Sequence, residues 1–382
     1  MVRRRNLKGV ILTWGLLFVL ILQGTVAYAA DTTIEIDLQK AIDTSIEKSN
    51  TLKLYDEKIK NANDIYYYYS NLSIAASNKQ SHGGVDLNPK FETDYDLIEN
   101  KKIELLYPKQ KLGELNRLKY EKQNKIIDIK AEVIETYFNI LFAQRQISNK
   151  QGLLSKLGSE LKVKQNNVKI GKGKASEITE VQLSIKRGNK ELTQIIRDKD
   201  KLIMSLNALL GNSFENKIVL KEMGVPEVDF EIDIKSSIEN KQKNSFTIQQ
   251  IKNRLNEISI EAEIIKNNTN REDPIELKSL ESERIEQEYK LKQELVDVET
   301  YILKENNNIL NLIDDVEISK MAQDECEQNY KVSQEKQKLG IVSRLSLDEV
   351  NNKLEQAKVE YLKSKLDFYL EVLKFNGYLE KK

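Results

Sequence analysis

An internal repeat constrains the fold of this chain more than any other feature. The segment at 168–181, VKIGKGKASEITEV, has a counterpart at 337–350, QKLGIVSRLSLDEV. A second pair of similar segments, at 34–42 and 230–238, is more widely separated than the first pair. Because a repeated pattern marks a repeated structural unit, we expect two tandem copies of one plan, and the first copy holds a segment that the second lacks.

Each copy is predicted to be dominated by helix. The 382 residues include only four prolines, and none lies between Leu112 and Ile170, where apolar residues recur at helical spacing. A helix of that length would extend for roughly 87 Å at about 1.5 Å per residue, which is too long for a compact domain. From Ile178 to Leu209, apolar steps of three, four and seven residues are typical of a coiled-coil seam. The predicted fold is mainly α, with two tandem repeats of long antiparallel helical hairpins.

The repeat also sets the expected domain boundaries. We place the first repeat at 31–211 and the second at 231–382, with an irregular connector at 212–230 that contains a short strand at 218–221. The two hairpin tips are expected at 171–177 and 340–346.

Local geometry explains the residues of both tips. Gly171 and Gly340 can adopt the left-handed conformation that ends a helix. In the second tip, Ser346 and Glu349 have the spacing of a capping box. In the first tip, either Ser176 or Glu177 is expected to cap the next helix.

The first tip contains GKGKAS, which does not fit a phosphate-binding loop. Such a loop has a glycine five residues before Gly-Lys-Ser/Thr and follows a strand, whereas Lys174 precedes Ala175 and a helix leads into the turn. The lysines around it lie near a helix C-terminus, where the backbone dipole favours cations. A basic docking patch is the alternative interpretation of these lysines.

The additional residues of the first repeat predict a β-hairpin. Apolar side chains alternate with charged or amide side chains from Val85 to Leu97, and a shorter alternation follows from Ile103 to Tyr107. We therefore expect a reduced β-hairpin at about 85–107, in the first repeat only. The corresponding segment of the second repeat, NNTNREDP at 267–274, is a polar turn with no strand pair.

The first 30 residues predict export. Four basic residues, at positions 3, 4, 5 and 8, precede an apolar run from Val10 to about Val26, and Ala27-Tyr28-Ala29 has the small residues that signal peptidase recognises. We interpret 1–30 as a signal peptide. An uncleaved membrane anchor is the alternative, since the apolar run is almost long enough to span a bilayer.

Composition argues against catalysis, cofactors and nucleic acid. His82 and Cys326 are the only histidine and the only cysteine, so we expect neither a His-rich metal site nor an intrachain disulfide. After residue 30, 56 Lys and Arg face 60 Asp and Glu, which is not the basic footprint of a nucleic-acid-binding protein. No carboxylate pair and no nucleophile motif stands out. We expect no catalytic residue, no cofactor and no metal.

Four consecutive tyrosines at 66–69 cannot all be buried on one helix. Tyrosines anchor many proteins at a membrane interface. Packing between subunits, or against the neighbouring loop, is equally consistent with this run, so membrane contact is one of the open interpretations.

The two tandem halves, the segment ETYFNILFAQRQI at 135–147 and the two tips resemble the TolC family of outer-membrane efflux proteins. The resemblance extends from residue 34 to about residue 379. It implies a homotrimer, in which twelve strands form an outer-membrane β-barrel and twelve helices form a long periplasmic α-barrel. It also implies an inner-membrane transporter and a periplasmic adaptor of the membrane-fusion type as partners, and no catalytic step.

The same resemblance implies that the adaptor docks on the hairpin tips. Matched to the family's pattern, the expected docking residues are Gly171, Glu177, Ile178, Val181, Gly340, Ser346, Leu347 and Val350.

The strand count departs from that pattern, because only the first repeat offers a strand pair. Six strands from a trimer would not enclose an open pore, since even eight leave space only for side chains or one small ligand. We therefore expect an exported TolC-like component of an efflux or secretion assembly in the cell envelope, forming an oligomeric helical conduit or docking element with a reduced or absent membrane barrel. A non-conducting coiled-coil spacer or adaptor is the alternative.

Overall fold

The computed structural model describes residues 34–81, 93–269 and 274–379. The predicted signal peptide at 1–30 and His82 lie outside these residues. The first half of the chain comprises β1 (Ile34–Ile36), α1 (Leu38–Lys48), α2 (Asn50–Ser81), α3 (Asp94–Leu105), α4 (Tyr107–Lys169) and α5 (Ala175–Leu209). The second half comprises β2 (Ile218–Leu220), α6 (Ile234–Asn244), α7 (Phe246–Asn267), α8 (Ile275–Lys338) and α9 (Arg344–Leu379).

The two halves use the same succession of helices, except that α3 has no counterpart among the described residues of the second half. Helices α1 and α6 both begin after an aspartate: the carboxylate of Asp37 accepts from the Lys40 amide at 2.8 Å, and that of Asp233 accepts from the Ser236 amide at 3.2 Å. Helices α4 and α8 have 63 and 64 residues and each continues through a short turn into a second long helix. The predicted fold of long antiparallel helical hairpins is confirmed.

The helices lie side by side in a wall that is four helices wide. Helices α4 and α8 run through its whole length. Towards the hairpin tips, α5 packs on α4, α4 packs on α9, and α9 packs on α8. Away from the tips, α2 packs on α4, α4 packs on α7, and α7 packs on α8. One edge of the wall is therefore formed by α2 and α5, and the other edge by α8.

A small sheet and one tyrosine join the beginning of the chain to its middle. Strands β1 and β2 are parallel, with Ile34 opposite Ile218 and Ile36 opposite Leu220. Tyr137 of α4 is fully buried beneath them, and its hydroxyl oxygen lies 2.7 Å from the carbonyl oxygen of Lys221 and 3.2 Å from that of Ile36. The predicted strand in the connector is confirmed by β2.

The connector after β2 links the two hydrophobic cores. Val225 is buried in the first core, around Tyr137 and Phe138 of α4. Phe230 packs against the second core, and its ring makes an edge contact with Phe375 of α9 at a centroid distance of 5.7 Å. The buried residues of this second core are Ile248, Val298, Ile302, Ile309, Val372 and Phe375.

The β-hairpin predicted at 85–107 is wrong over the part that the structure describes. Residues 94–105 form α3, and residues 85–92 lie outside the described residues. Thr93 and Asp96 make a capping box that starts the helix: the Thr93 hydroxyl accepts from the Asp96 amide at 3.2 Å, and the Asp96 carboxylate accepts from the Thr93 amide at 3.0 Å. The local cap outweighs the alternating pattern, because it satisfies the free amides of a helix start.

Candidate docking tips

The first tip is a glycine-terminated turn. Gly171 has a φ of 74°, and the amide of Lys172 donates to the Asn167 carbonyl at 2.8 Å while the Gly171 amide donates to the Val168 carbonyl at 3.1 Å. These two bonds are the Schellman motif, which satisfies the last carbonyl groups of a helix. Glycine is favoured here because other L-residues are strained at positive φ.

The second tip has the same geometry. Gly340 has a φ of 72°, and the Ile341 amide donates to the Lys336 carbonyl at 2.8 Å while the Gly340 amide donates to the Gln337 carbonyl at 3.0 Å. The prediction that both glycines end a helix in the left-handed conformation is confirmed.

The cap predicted for the first tip is wrong. Helix α5 begins at Ala175, and the side chain of its N-cap residue Lys174 makes no capping hydrogen bond. Instead, the Glu177 carboxylate lies 2.6 Å from Nζ of Lys164 on the opposite helix of the hairpin. The hydrogen bond from Lys164 lowers the pKa of Glu177 and raises that of Lys164. Attraction between the two charges therefore holds the Glu177 side chain across the hairpin, beside Lys164.

The capping box predicted in the second tip is also wrong. Helix α9 begins at Arg344, and the Ser343 hydroxyl accepts from the Ser346 amide at 3.1 Å. Ser346 is thus inside the first turn, and the serine three residues earlier caps the helix. Both serines were available as caps in the sequence, since serine is favoured at this position in general.

The predicted docking residues divide into outward and inward groups. Gly171, Gly340 and Ser346 are exposed. Val181 of α5 is buried, and the half-buried side chains are Glu177, Ile178, Leu347 and Val350. The apolar members of the predicted set therefore pack within the hairpins.

Three apolar side chains that the sequence analysis did not select project from the tips. Ile170, Leu339 and Ile341 are 65%, 75% and 66% exposed. Each is adjacent in sequence to Gly171 or Gly340. That position was the available signal, because a residue beside a turn glycine lies at the end of the rod, where no neighbouring helix covers it.

An ion pair joins the two hairpins near the tips. Nζ of Lys156 on α4 lies 2.5 Å from the carboxylate of Asp348 on α9, and Asp348 is buried. Glu160, one turn further along α4, has a buried carboxylate oxygen without a hydrogen-bond partner among the described residues. Burial, followed by the nearby charges of Glu349 and Asp348, raises the pKa of Glu160 against the opposing effect of Lys164.

Within the described ranges, no three His, Cys, Asp or Glu side chains are grouped in a way that could hold a metal ion. No helix of the described chain has both the length and the apolar character that crossing a membrane requires.

No protein-family model and no curated protein matches the sequence. Solved structures do match the helical wall and its two hairpins. The CmeC outer membrane channel of Campylobacter jejuni superposes with a TM-score of 0.62 at 10% identity, over 93% of this chain and 90% of that one. The outer membrane protein VceC of Vibrio cholerae gives 0.60 at 10% identity, over 90% of this chain and 96% of that one.

The MtrE outer membrane channel of Neisseria gonorrhoeae, crystallised in its open state, gives a TM-score of 0.58 at 12% identity, over 90% of this chain and 88% of MtrE. The chain has the TolC-like fold. The resemblance predicted from the repeat and the tips is thereby confirmed at the level of the fold. In this fold the two Schellman turns, at Gly171 and Gly340, lie at the ends of the two long hairpins.

Proposed function

We propose that the chain is an exported component of an efflux or secretion assembly in the cell envelope, where several copies form a helical conduit. The observation that carries this proposal is an apolar stripe along α8, at an edge of the wall that no other helix among the described residues covers. Its side chains are 41–68% exposed, and they are Ile285, Tyr289, Val296, Leu303, Leu310, Met321 and Val332.

The spacing of this stripe is that of a helix-packing seam. Successive members are four residues apart, then seven residues apart three times, then eleven residues apart twice. Residues that are seven or eleven positions apart lie on nearly the same face of a helix. A stripe that is continuous over most of a long helix is far larger than the scattered apolar residues of an ordinary surface. It therefore requires a partner helix.

The opposite edge of the wall supplies suitable partners. Exposed apolar side chains on α2 and α5 include Leu54, Ile65, Tyr68, Leu183 and Met204. When α8 of one copy packs on α2 and α5 of the next, each copy contributes four helices to each half of the assembly. Three copies contribute twelve, which is the number of helices that the TolC resemblance implies for the α-barrel of a homotrimer.

The tips are the proposed docking surface for a periplasmic adaptor, which would connect the conduit to an inner-membrane transporter. Ile170, Leu339 and Ile341 add exposed apolar contacts to the predicted set at this end. The structural neighbours CmeC and MtrE are outer membrane channels by name. Fold likeness to them supports a transport role for this chain, with energy supplied by the transporter.

Native mass spectrometry of the purified full chain tests the proposal. We expect a trimer, and we expect the double variant Leu303→Glu/Leu310→Glu to be a folded monomer. The matched control, Lys304→Glu/Asn311→Glu, changes exposed residues on another face of the same helix and should remain trimeric. A stable wild-type monomer at micromolar concentration would rule out the conduit.

A non-conducting envelope spacer or adaptor is a second candidate, and α3 favours it. A helix occupies 94–105, where a strand was expected, and it is held by an ion pair of 2.5 Å between Lys102 and Glu261 of α7. Deleting residues 85–107 separates the two functions. Loss of substrate export with the trimer intact supports the conduit, and unchanged export supports the spacer.

A further inference from the structure

A groove of about 970 Å³ lies where α4, α7 and α9 meet. Pockets that bind small molecules have volumes of about 300–1,000 Å³, so this groove is large enough for an extended ligand. All three helices belong to one chain, and the groove therefore exists in each copy whatever the oligomeric state.

Side-chain amides dominate the polar lining of this groove. They come from all three helices and are Asn116, Gln123, Gln249, Gln250, Asn253 and Asn376. Gln249 donates to the Lys243 carbonyl at 2.8 Å, and the other five have no side-chain hydrogen bond to described residues. Each amide offers both donors and acceptors, which is the combination that hydroxyl and acetamido groups require.

Two positive charges accompany these amides. Lys119 and Lys130 line the groove, and no Asp or Glu is among the described lining residues. When the repeats are aligned on Gly171 and Gly340, the second repeat has Glu288 and Glu299 at the equivalent positions. Helix packing common to both repeats therefore does not require the two lysines, and the groove is suited to an anionic ligand.

Aromatic rings supply the apolar part of the lining. Tyr120 of α4 and Phe246 of α7 are stacked with a centroid distance of 4.5 Å and an interplanar angle of 16°, and Tyr369 lines the groove from α9. Aromatic side chains combine a large apolar surface with, in tyrosine, a polar end. Rings beside several amides can hold a flat ligand that is apolar on its faces and hydroxylated at its edges.

We propose that this amide groove binds a carboxylate-bearing oligosaccharide. The amides would bind its hydroxyl groups, the rings would contact its sugar faces, and Lys119 and Lys130 would pair with its carboxylates. This site is separate from the hairpin tips and from the α8 stripe, and it goes beyond the proposed transport function.

Calorimetric titration of the full chain with three defined tetrasaccharides tests the proposal. The probes are an N-acetylglucosamine/N-acetylmuramic acid tetramer, a galacturonic acid tetramer and the neutral chitotetraose. We expect at least one acidic probe to bind ten times more tightly than chitotetraose. Preference for the first indicates a cell-wall glycan, and preference for the second a uronic acid polymer. Equal binding of all three, or no binding of either acidic probe, overturns the proposal.

Two groove variants locate the binding. Lys119→Glu/Lys130→Glu installs the charges of the second repeat, and Gln250→Glu/Asn253→Asp adds two carboxylates at almost unchanged side-chain volume. Each should weaken binding of the acidic probe at least tenfold while the circular dichroism spectrum is unchanged.

A charge-matched control lies outside the groove. Lys40→Glu/Lys252→Glu reverses two exposed lysines that do not line it and should change affinity less than twofold. An equal loss of affinity in this control would show that the acidic probe is attracted by the net charge of the protein, and it would overturn the proposed site. Because native mass spectrometry reports the trimer independently, failure of this site and failure of the conduit are distinguishable.

Discussion

Substitutions at the tip glycines test whether these residues adopt the left-handed conformation in solution. A Cβ added at Gly340 would meet no described residue within 4 Å, so the obstacle to substitution is the φ of 72°. Valine is strained there, and we expect Gly340→Val to lower the free energy of unfolding by about 1 kcal/mol or more. Asparagine tolerates the left-handed conformation, so Gly340→Asn should cost clearly less. Equal urea midpoints for the two variants would contradict the left-handed conformation at Gly340.

Tyr137 tests the junction between the sheet and α4. Its hydroxyl is the partner of two backbone carbonyls, those of Ile36 and Lys221. Tyr137→Phe removes this partner of the Lys221 carbonyl in a partly buried site, whereas the Ile36 carbonyl still accepts from the Lys221 amide at 3.1 Å. We expect a loss of about 1–3 kcal/mol in urea unfolding. Tyr95→Phe is the control, because Tyr95 is 73% exposed and its change should stay within about 0.5 kcal/mol.

Long helices were predictable from the sequence, and their exact beginnings were not. The apolar spacing from Leu112 to Ile170 and the two turn glycines are local signals, and the structure confirms both. The caps at Ser176, Glu177 and Ser346 were mispredicted because several residues near each tip could cap equally well. The choice depends on contacts across the hairpin, such as that between Glu177 and Lys164.

Helix α3 was missed because the alternating pattern was preferred to the local cap at Thr93 and Asp96, and because the packing contacts of the helix are long-range. Ile98 packs against α7 and α8 residues, and Lys102 pairs with Glu261, which is 159 residues away. Both side chains of the pair are about one-fifth exposed, so it is partly shielded from solvent. An alternating pattern at 85–97 gives no indication of these contacts.

A substitution at Lys102 tests the docking of α3 on α7. Removing the cation leaves Glu261 partly buried and unpaired, so we expect Lys102→Met to lower the free energy of unfolding by about 1 kcal/mol. Amide hydrogen exchange of 94–105 should become faster in this variant. Lys101→Met changes a neighbouring lysine whose partner Glu104 lies in α3 itself, and it should leave the exchange rates of α7 unchanged. Unaltered amide exchange of 94–105 in both variants would mean that the stability of α3 does not depend on its contact with α7.

The contact between α4 and α9 near the tips should depend on pH through Glu160. Its pKa is raised above the ordinary 4.5 by burial and by Glu349 and Asp348. A carboxyl group with a raised folded-state pKa contributes stability below its unfolded pKa and loses it as pH rises through the folded value. We expect Glu160→Gln to be more stable than wild type at pH 7 and to lose this advantage at pH 4.

Urea titrations at the two pH values measure this difference. Glu180→Gln is the control, because it makes the same chemical change at an exposed position of α5. Parallel pH profiles for wild type and Glu160→Gln would show that the carboxylate is solvated and that the contact is insensitive to its charge.

The assembly of copies is the level at which the sequence was least informative. The heptad steps of α8 are visible in the sequence, but the buried and exposed seams of a long helix have similar composition. Ile302 and Ile309 are fully buried against the second core, whereas Leu303 and Leu310, one residue later in each case, are 41% and 47% exposed. Only the packing of the wall shows which seam lacks a partner.

The repeat predicts which residues meet between copies. Within one chain, Ile127 of α4 contacts α9 at Gly377, where an added Cβ would lie 2.9 Å from the Ile127 side chain. When the repeats are aligned on the two tip glycines, Ile127 corresponds to Val296 of α8, and Gly377 corresponds to Ala208 of α5. Val296 and Ala208 lie on opposite edges of the wall, and both are exposed. In a closed ring they should meet across every subunit boundary.

Cysteine cross-linking measures this contact directly. Cys326 is the only cysteine, so the background variant Cys326→Ser has no thiol. In that background, Val296→Cys/Ala208→Cys should give covalent dimers and trimers on oxidation, because a disulfide requires Cβ atoms about 3.5–4.5 Å apart. Each single-cysteine variant should remain monomeric on a denaturing gel. If the double variant is a native trimer but gives no cross-link, the copies pack in another register. The two edges would then meet without placing Val296 beside Ala208 of the next copy.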